Sequence, residues 1–363
     1  MKRGLLMAGI SVMGVAVLAA MTLCLTTGCS TLGYYAQSVG GHLNLVRSAR
    51  PVPEWLADAS ASAELKGRLA LSQRMRDFAV TELKLPDNAS YRRFADLKRA
   101  AAVWNVVAAP ELSLALQTWC FPVLGCVGYR GYFARDEADA FAATLREQGL
   151  EASVYAVPAY STLGALPGDW LADPLLSTFI NYPEGELARL IFHELSHQVA
   201  YASDDTMFNE SFATAVERIG GARWLLTNGS EQVREEYQRY DDRRQDFRAL
   251  TMRYRGQLDA LYRSAVSVED KRVGKAAAMA AMRIDYEAMK ASRWGGFSGY
   301  DGWFARANNA SLGVLAAYNE RVPEFERLFD RQGRDFQRFY AEVKRLAALP
   351  KAERSKALQA SGE

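Results

Sequence analysis

Histidine is scarce in this chain of 363 residues, which has three, His42, His193 and His197. Cysteine is scarce too, at four residues, and that excludes a small fold held together by many disulfides. Excess charge of either sign is missing, since 44 Lys and Arg stand against 42 Asp and Glu. Lys2 and Arg3 lie in a leading stretch without acids, and without them the balance is 42 against 42. A neutral chain lacks the electrostatic footprint of a nucleic-acid binder, so no nucleic acid is expected as a partner. Internal repeats and low-complexity linkers are also missing. At 49% hydrophobic and 24% charged residues, the composition is ordinary globular. It excludes disorder, collagen-like repeats and a polytopic membrane protein.

The first residues have a different character. Lys2 and Arg3 precede an uncharged apolar run over 4–25, the marks of a secretory signal. Leu25-Thr26-Thr27-Gly28-Cys29-Ser30 follows. Gly28-Cys29 resembles the end of a bacterial lipobox, cut before a cysteine that receives a diacylglycerol. The Leu usual three residues before that cysteine is Thr26 here, with Leu25 one step further back. The alternative is an uncleaved anchor, because the 22 residues of 4–25 can span a bilayer. Either way, residues 30–363 are tethered to a membrane outside the cytoplasm. Ser30 resembles lipoproteins sorted to the outer membrane, so a periplasmic location there is expected. Cys24 would leave with the signal. Cys120 and Cys126, with Pro122 and Gly125 between them, are then expected to form a disulfide closing a tight turn.

Periodicity along the rest predicts an α+β fold that is predominantly α-helical. After the signal at 1–28, a single region 29–363 is expected. A helical N-terminal part covers 30–100, with a short helix over 34–46 interrupted at Gly40-Gly41 and a longer one over 60–85. A small β-rich part covers 101–182, with strands at 103–107, 117–121, 126–133 and 151–157 and a helix at 135–147. Residues 183–226 read as two helices, the first from Pro183 to about residue 202. A helical part, expected to be a bundle, fills 227–350. It has a long charged helix from Val233 to Leu261, a return helix, and closing helices over 311–322 and 323–346. The long helix is read as packed on its own domain rather than as a partner-binding coiled coil. Residues 351–363 read as a frayed tail.

The chemistry concentrates in Phe192-His193-Glu194-Leu195-Ser196-His197. Histidines four apart share one face of a helix and can aim two imidazole nitrogens at one metal ion. Glu194 lies about 100° around the axis, within reach of a water but not of the ion. Leu187, Ile191, Leu195 and Val199 form a face that would bury against the core. A catalytic zinc takes three protein ligands, and the next helix offers Glu210 and Glu217. Those two are about 10 Å apart along a helix, so they cannot both bind one ion. Glu210, across a short turn from His197, is the expected third ligand. Glu217 is expected to support the site from behind or to pair with Arg189 or Arg218. Asp205 is a candidate to orient a ligand histidine, although helix capping by Asp204 or Asp205 explains these residues as well.

His193-Glu194-Leu195-x-His197-Gln198, followed by Asn209-Glu210-x-Phe212-Ala213-x-x-x-Glu217, resembles the zinc core of the gluzincin peptidases, notably their aminopeptidases. That resemblance implies a zincin-like helix pair with Zn2+ on His193, His197 and Glu210, and Glu194 as general base. Two departures stand out. Only 12 residues separate His197 from Glu210, fewer than usual in those enzymes, and their G-x-M-E-N motif is missing. A resemblance over nearly the whole mature chain is to a family of bacterial lipoproteins known as aminopeptidases. It rests on Gly28-Cys29-Ser30, Tyr34-Tyr35-Ala36-Gln37, Cys120-Phe121-Pro122, Gly125-Cys126-Val127, Tyr129-Arg130-Gly131-Tyr132-Phe133, Tyr160-Ser161-Thr162-Leu163-Gly164, residues 173–178, the zinc core, Asn308-Asn309-Ala310 and Tyr318.

The expected activity is therefore zinc-dependent hydrolysis of a peptide substrate, with aminopeptidase action as the first reading. An endopeptidase of the same chemistry is the alternative, and a non-catalytic envelope scaffold with a structural metal is a third. Tyr318 and Tyr160 are candidate donors to the oxyanion. His42 is the one spare histidine, expected to cap or pack. No motif speaks to oligomeric state.

Overall fold

The structure, a computed structural model, describes residues 29–121, 125–162, 169–203, 205–317 and 320–360. The signal expected over 1–28, Asp204 and Tyr318 lie outside the described residues. Helix α1 (Cys29–Ser48) runs unbroken through Gly40-Gly41, where an interruption was expected. A helical glycine costs about 1 kcal/mol, and tertiary contacts offset it. Gln37 donates to the Gly131 carbonyl at 3.2 Å and accepts from the Phe133 amide at 3.1 Å. After β1 (Arg50–Pro51) and α2 (Val52–Ala57), helix α3 (Ala63–Thr81) starts at Ser62, whose hydroxyl accepts from the Leu65 amide at 3.1 Å. Strand β2 (Arg93–Ala95) then leads to the β-rich part.

The β-rich part contains β3 (Val103–Pro110), β4 (Trp119–Phe121), β5 (Gly125–Val127), β6 (Arg130–Tyr132), helix α4 (Arg135–Glu147) and β7 (Leu150–Val157). β3 is central, with β6 and β7 antiparallel on either side. Register places Asn105 opposite both Gly131 and Tyr155, and Val106 opposite both Arg130 and Val154. Successive strand residues face opposite ways. The even-numbered set, with Val106, Ala108, Tyr132, Ala152 and Val154, packs on Ala138, Ala142 and Leu145 of α4. The odd-numbered set, with Asn105, Gly131 and Tyr155, faces the other way and forms a cavity wall. β4 and β5 form a separate hairpin closed by the Cys120–Cys126 disulfide. β8 (Leu175–Leu176) pairs parallel with β2.

Helices follow: α5 (Glu184–Ser196), α6 (Thr206–Asn228), α7 (Glu231–Arg263), α8 (Val268–Ser292), α9 (Asp301–Arg306), α10 (Asn309–Ala317), α11 (Val322–Arg331), α12 (Phe336–Ala347) and α13 (Lys351–Ala360). This is the expected α+β, mainly helical fold with a helical C-terminal region. The largest apolar core joins Leu69 and Met75 of α3, Leu187 and Ile191 of α5, Phe208 and Phe212 of α6, and Phe325 and Phe339 of the closing helices. The long charged helix α7 packs by one face, with Leu250, Tyr254 and Leu258 in one apolar cluster with Met282 and Tyr286 of α8.

Other boundaries differ from the periodic pattern: the strand expected over 126–133 is two, β5 and β6, and the helix expected over 311–322 is α10, which ends at Ala317. The expected helix over 323–346 is two helices, because Gly333 takes φ 71° and Asp335 caps the second, accepting from the Arg338 amide at 2.9 Å. The expected frayed tail is instead helix α13, docked through buried Leu358 and Arg354. Arg354 donates to the carbonyls of Leu346, Ala347 and Leu349 at 3.3, 3.1 and 2.8 Å. Among the described residues no helix is long and apolar enough to cross a membrane.

Candidate active site

Helices α5 and α6 run antiparallel, as their pairings in order show. His197 approaches Glu210, His193 approaches Glu210 and Glu217, Arg189 meets Glu217, and Glu184 accepts from the Trp224 indole at 3.0 Å. The intervening turn fixes that register. Buried Asn209 clamps Ala202, accepting from its amide at 2.8 Å and donating to its carbonyl at 2.9 Å. Asp205 caps α6 by accepting from the Phe208 amide at 3.1 Å. Helix α5 ends at Ser196, short of the expected residue 202, yet His197 keeps helical angles (φ −59°, ψ −23°). The four-residue spacing therefore still puts both rings on one side.

The ring nitrogens converge. His193 Nε2 lies 3.3 Å from His197 Nε2 and 3.3 Å from Glu210 Oε2, and the third side, His197 Nε2 to Glu210 Oε2, is 3.8 Å. A point about 2.0 Å from all three atoms exists inside that triangle, which matches the bond lengths of a divalent zinc-type ion. The chemistry of the donors fits as well. Glu217 Oε2 lies 3.0 Å from His193 Nδ1, an arrangement that suits a proton on Nδ1 and leaves Nε2 as the ring atom that faces the triangle. Burial pushes the His197 pKa down to about 4, which keeps that ring neutral. Burial also works against a charge on His193, but hydrogen bonds to Glu210 and Glu217 carry its pKa well up. The space beside its Nε2 therefore attracts positive charge. His193, His197 and Glu210 can together hold a metal ion.

Behind the triangle, Glu217 is gripped by Arg189, which donates 3.2 Å to Asp241 and 3.1 Å to the Tyr237 hydroxyl. Burial raises the Glu217 pKa, but the Arg189 and His193 charges outweigh it and hold the carboxyl at about 2. Gly221 makes room for this, since a Cβ there would meet Arg189 Cγ at 2.7 Å. Glu194 has no hydrogen-bond partner among the described residues, and burial first of all pushes its pKa to about 7. It lines two cavities. One, of about 650 Å³, is walled by Tyr34, Phe121, Tyr129, Phe133, Tyr155 and Tyr160 and reaches His193, His197 and Glu210. The other, of about 440 Å³, lies beyond His193 and is walled partly by Glu186, Arg189, Glu217, Arg244 and Arg248.

Residues 33–358 match the model of the family described as "Putative aminopeptidase". The chain belongs to that family. No curated protein and no solved structure matches it.

The structure brings His193, Glu194, His197, Glu210 and Glu217 of this aminopeptidase-family chain together. It does not bring Asp205 to a histidine. One Asp205 oxygen caps α6 and the other accepts from Arg354 at 2.7 Å, because the helix start and a buried cation both claim it. His197 Nδ1 is buried without a partner among the described residues. Arg218, the other cation considered for Glu217, pairs with Glu326 at 3.1 Å. Tyr160 lines the larger cavity but packs against Phe133 and His42, at centroid distances of 5.3 and 5.6 Å. His42 is buried and lines neither cavity. Cys29 begins α1.

Two site residues escaped sequence reasoning. Tyr129 and Tyr155 enter the cavity, and burial followed by the Glu210 charge raises the pKa of Tyr129. Strand register could have pointed to Tyr155, which shares the odd-numbered face with Asn105. Arg189, by contrast, was already a candidate partner of Glu217; it stands four residues before His193 on the same helix face.

Proposed function

We propose that this protein is a zinc-dependent peptidase acting as an aminopeptidase, with His193, His197 and Glu210 as ligands and Glu194 as general base. The observation that carries this reading is the 3.3, 3.3 and 3.8 Å triangle of donor atoms, with the half-buried Glu194 carboxyl lining the same cavity. Two imidazoles and a carboxylate suit zinc. When bound, zinc supplies a Lewis acid for the substrate carbonyl and acidifies water.

The chain's own groups do the remaining work. Glu194 accepts a proton at its carboxylate as water attacks the peptide carbonyl, then returns it to the leaving amine. Glu217, held by Arg189, keeps the His193 proton on Nδ1. Tyr129 is the hydroxyl we assign to the developing oxyanion, in place of Tyr160, because the charges of Glu210 and Glu194 both act on it. Aromatic walls exclude water and receive apolar substrate side chains.

A second reading, endopeptidase action, is favoured by the second cavity, since space on both sides of Glu194 can hold chain on both sides of the scissile bond. Loss of cleavage on N-acetylation of a peptide marks an aminopeptidase, and retention marks an endopeptidase. Glu194→Gln tests the catalytic reading itself. We expect metal content to be kept and turnover to fall by about 10²–10⁴, whereas a scaffold would lose nothing. We read the mature chain as a lipoprotein held at the periplasmic face of the outer membrane through Cys29. Lys2, Arg3, the apolar run and Gly28-Cys29 support this, and the Cys120–Cys126 disulfide agrees with an oxidising compartment.

A further inference from the structure

The smaller cavity beyond His193 is lined by three carboxylates and three guanidinium groups. Most are already matched. Glu217 is held by Arg189, which also reaches Asp241, and Glu186 is held by Arg244. Glu194 is committed to the chemistry by the function proposed above. That leaves Arg248 on α7, one turn beyond Arg244 on the same face. Among the described residues its guanidinium has no hydrogen bond and no ion pair. It is half-buried beside Phe247, Leu315 and the amphipathic Tyr300, near other basic groups. Burial, followed by the like charges of Arg218 and Arg189, lowers its pKa, and Asp241 and Glu217 only partly oppose them. An arginine partly drawn out of water without a carboxylate beside it is left short of a partner. Arg218, which could have shared an anion with it, is turned to Glu326 at 3.1 Å.

We infer that Arg248 receives a carboxylate of the peptide substrate, so that this arm of the cleft selects anionic peptides. This rests on the peptidase reading of the same site. Guanidinium binds carboxylate through two parallel hydrogen bonds, and such a pair forms strongly where water is partly excluded. A compact space of about 440 Å³ spans two to three extended residues. The carboxylate therefore lies within that many residues of the scissile bond. It comes either from an acidic side chain or from the peptide's own C-terminus.

The test uses the metal-loaded full chain and short Leu-Ala peptides in matched pairs. One arm compares Asp with Asn at each position in C-terminally amidated peptides. The other compares a free with an amidated C-terminus. The expected result is a kcat/KM ratio of about 10–100 for acid over amide in one arm, which identifies the source. In Arg248→Gln that ratio falls to about one, and Arg248→Lys keeps part of it. Ratios near one in the wild type, or a ratio preserved in Arg248→Gln, overturn the inference while peptide hydrolysis itself stands. If no peptide is cleaved, the peptidase reading fails. Calorimetric binding of the same pairs to wild type and Arg248→Gln then decides. A preference for the acid that Arg248→Gln loses retains the anion site, and no preference removes it.

Discussion

Replacing Glu217 with Gln changes charge but almost no volume, which makes it a sharp probe of the group behind His193. One Glu217 oxygen lies 3.0 Å from His193 Nδ1 and the other engages Arg189. An amide has one acceptor atom and one donor, so it can serve the imidazole N–H or the guanidinium, not both. Whichever loses its acceptor then faces an N–H. Losing such an outer partner of a metal-binding histidine costs about 10–100-fold in metal affinity, or about 1.4–2.8 kcal/mol. The fold should tolerate the change, because Arg189 keeps Asp241 at 3.2 Å and the Tyr237 hydroxyl at 3.1 Å. The stability loss should therefore stay below the roughly 3–5 kcal/mol of a buried charge left alone. Competition against a chromophoric chelator measures the affinity, and circular dichroism checks the fold. A folded Glu217→Gln with wild-type affinity would refute the argument. Glu210→Gln, which alters one of the three converging atoms, should lose more than Glu217→Gln in the same assay.

Three further outcomes are expected. Arg354→Met strands the buried Asp205 carboxylate and should cost about 3–5 kcal/mol, read as a lower denaturant midpoint; an unchanged midpoint would contradict the role given to α13. Burial pushes Asp173 to about 6, partly offset by hydrogen bonds from Thr162 and Ser161. The fold thus favours its protonated form, and stability present below about pH 4 is lost as pH rises through 6, by at most about 3 kcal/mol. Asp173→Asn should flatten that fall between pH 4 and 7, and parallel pH profiles of wild type and variant would rule it out. Tyr129→Phe should lower kcat about 10²–10³-fold with little change in KM, whereas Tyr160→Phe should leave kcat within a few-fold; equal losses would return the oxyanion role to Tyr160.

Much of the helical frame was legible because its signals are local. Ser62, Ser230 and Ser267 each precede a helix and accept from the amide three residues on. Boundaries failed where tertiary contacts outweigh local preference, as at Gly40-Gly41 and in helix α13. Asp205 illustrates the same limit in the site. Its place before a helix suggested capping, and capping is what it does, but its second oxygen answers to Arg354, 149 positions away.

The pair His193 and His197, with Glu194 between them, is set by helical pitch alone, and a sequence states pitch directly. The choice of Glu210 to complete the triangle, with Glu217 behind His193, depends on the register of α6 against α5. That register is set by the Asn209 clamp, which reaches back seven residues to Ala202, and by the room at Gly221 and the Arg354 contact, both of which join residues far apart in the chain. The cavity walls and the unmatched charge of Arg248 depend on still longer-range contacts, where strand pairing and helix packing bring together side chains that no spacing rule connects.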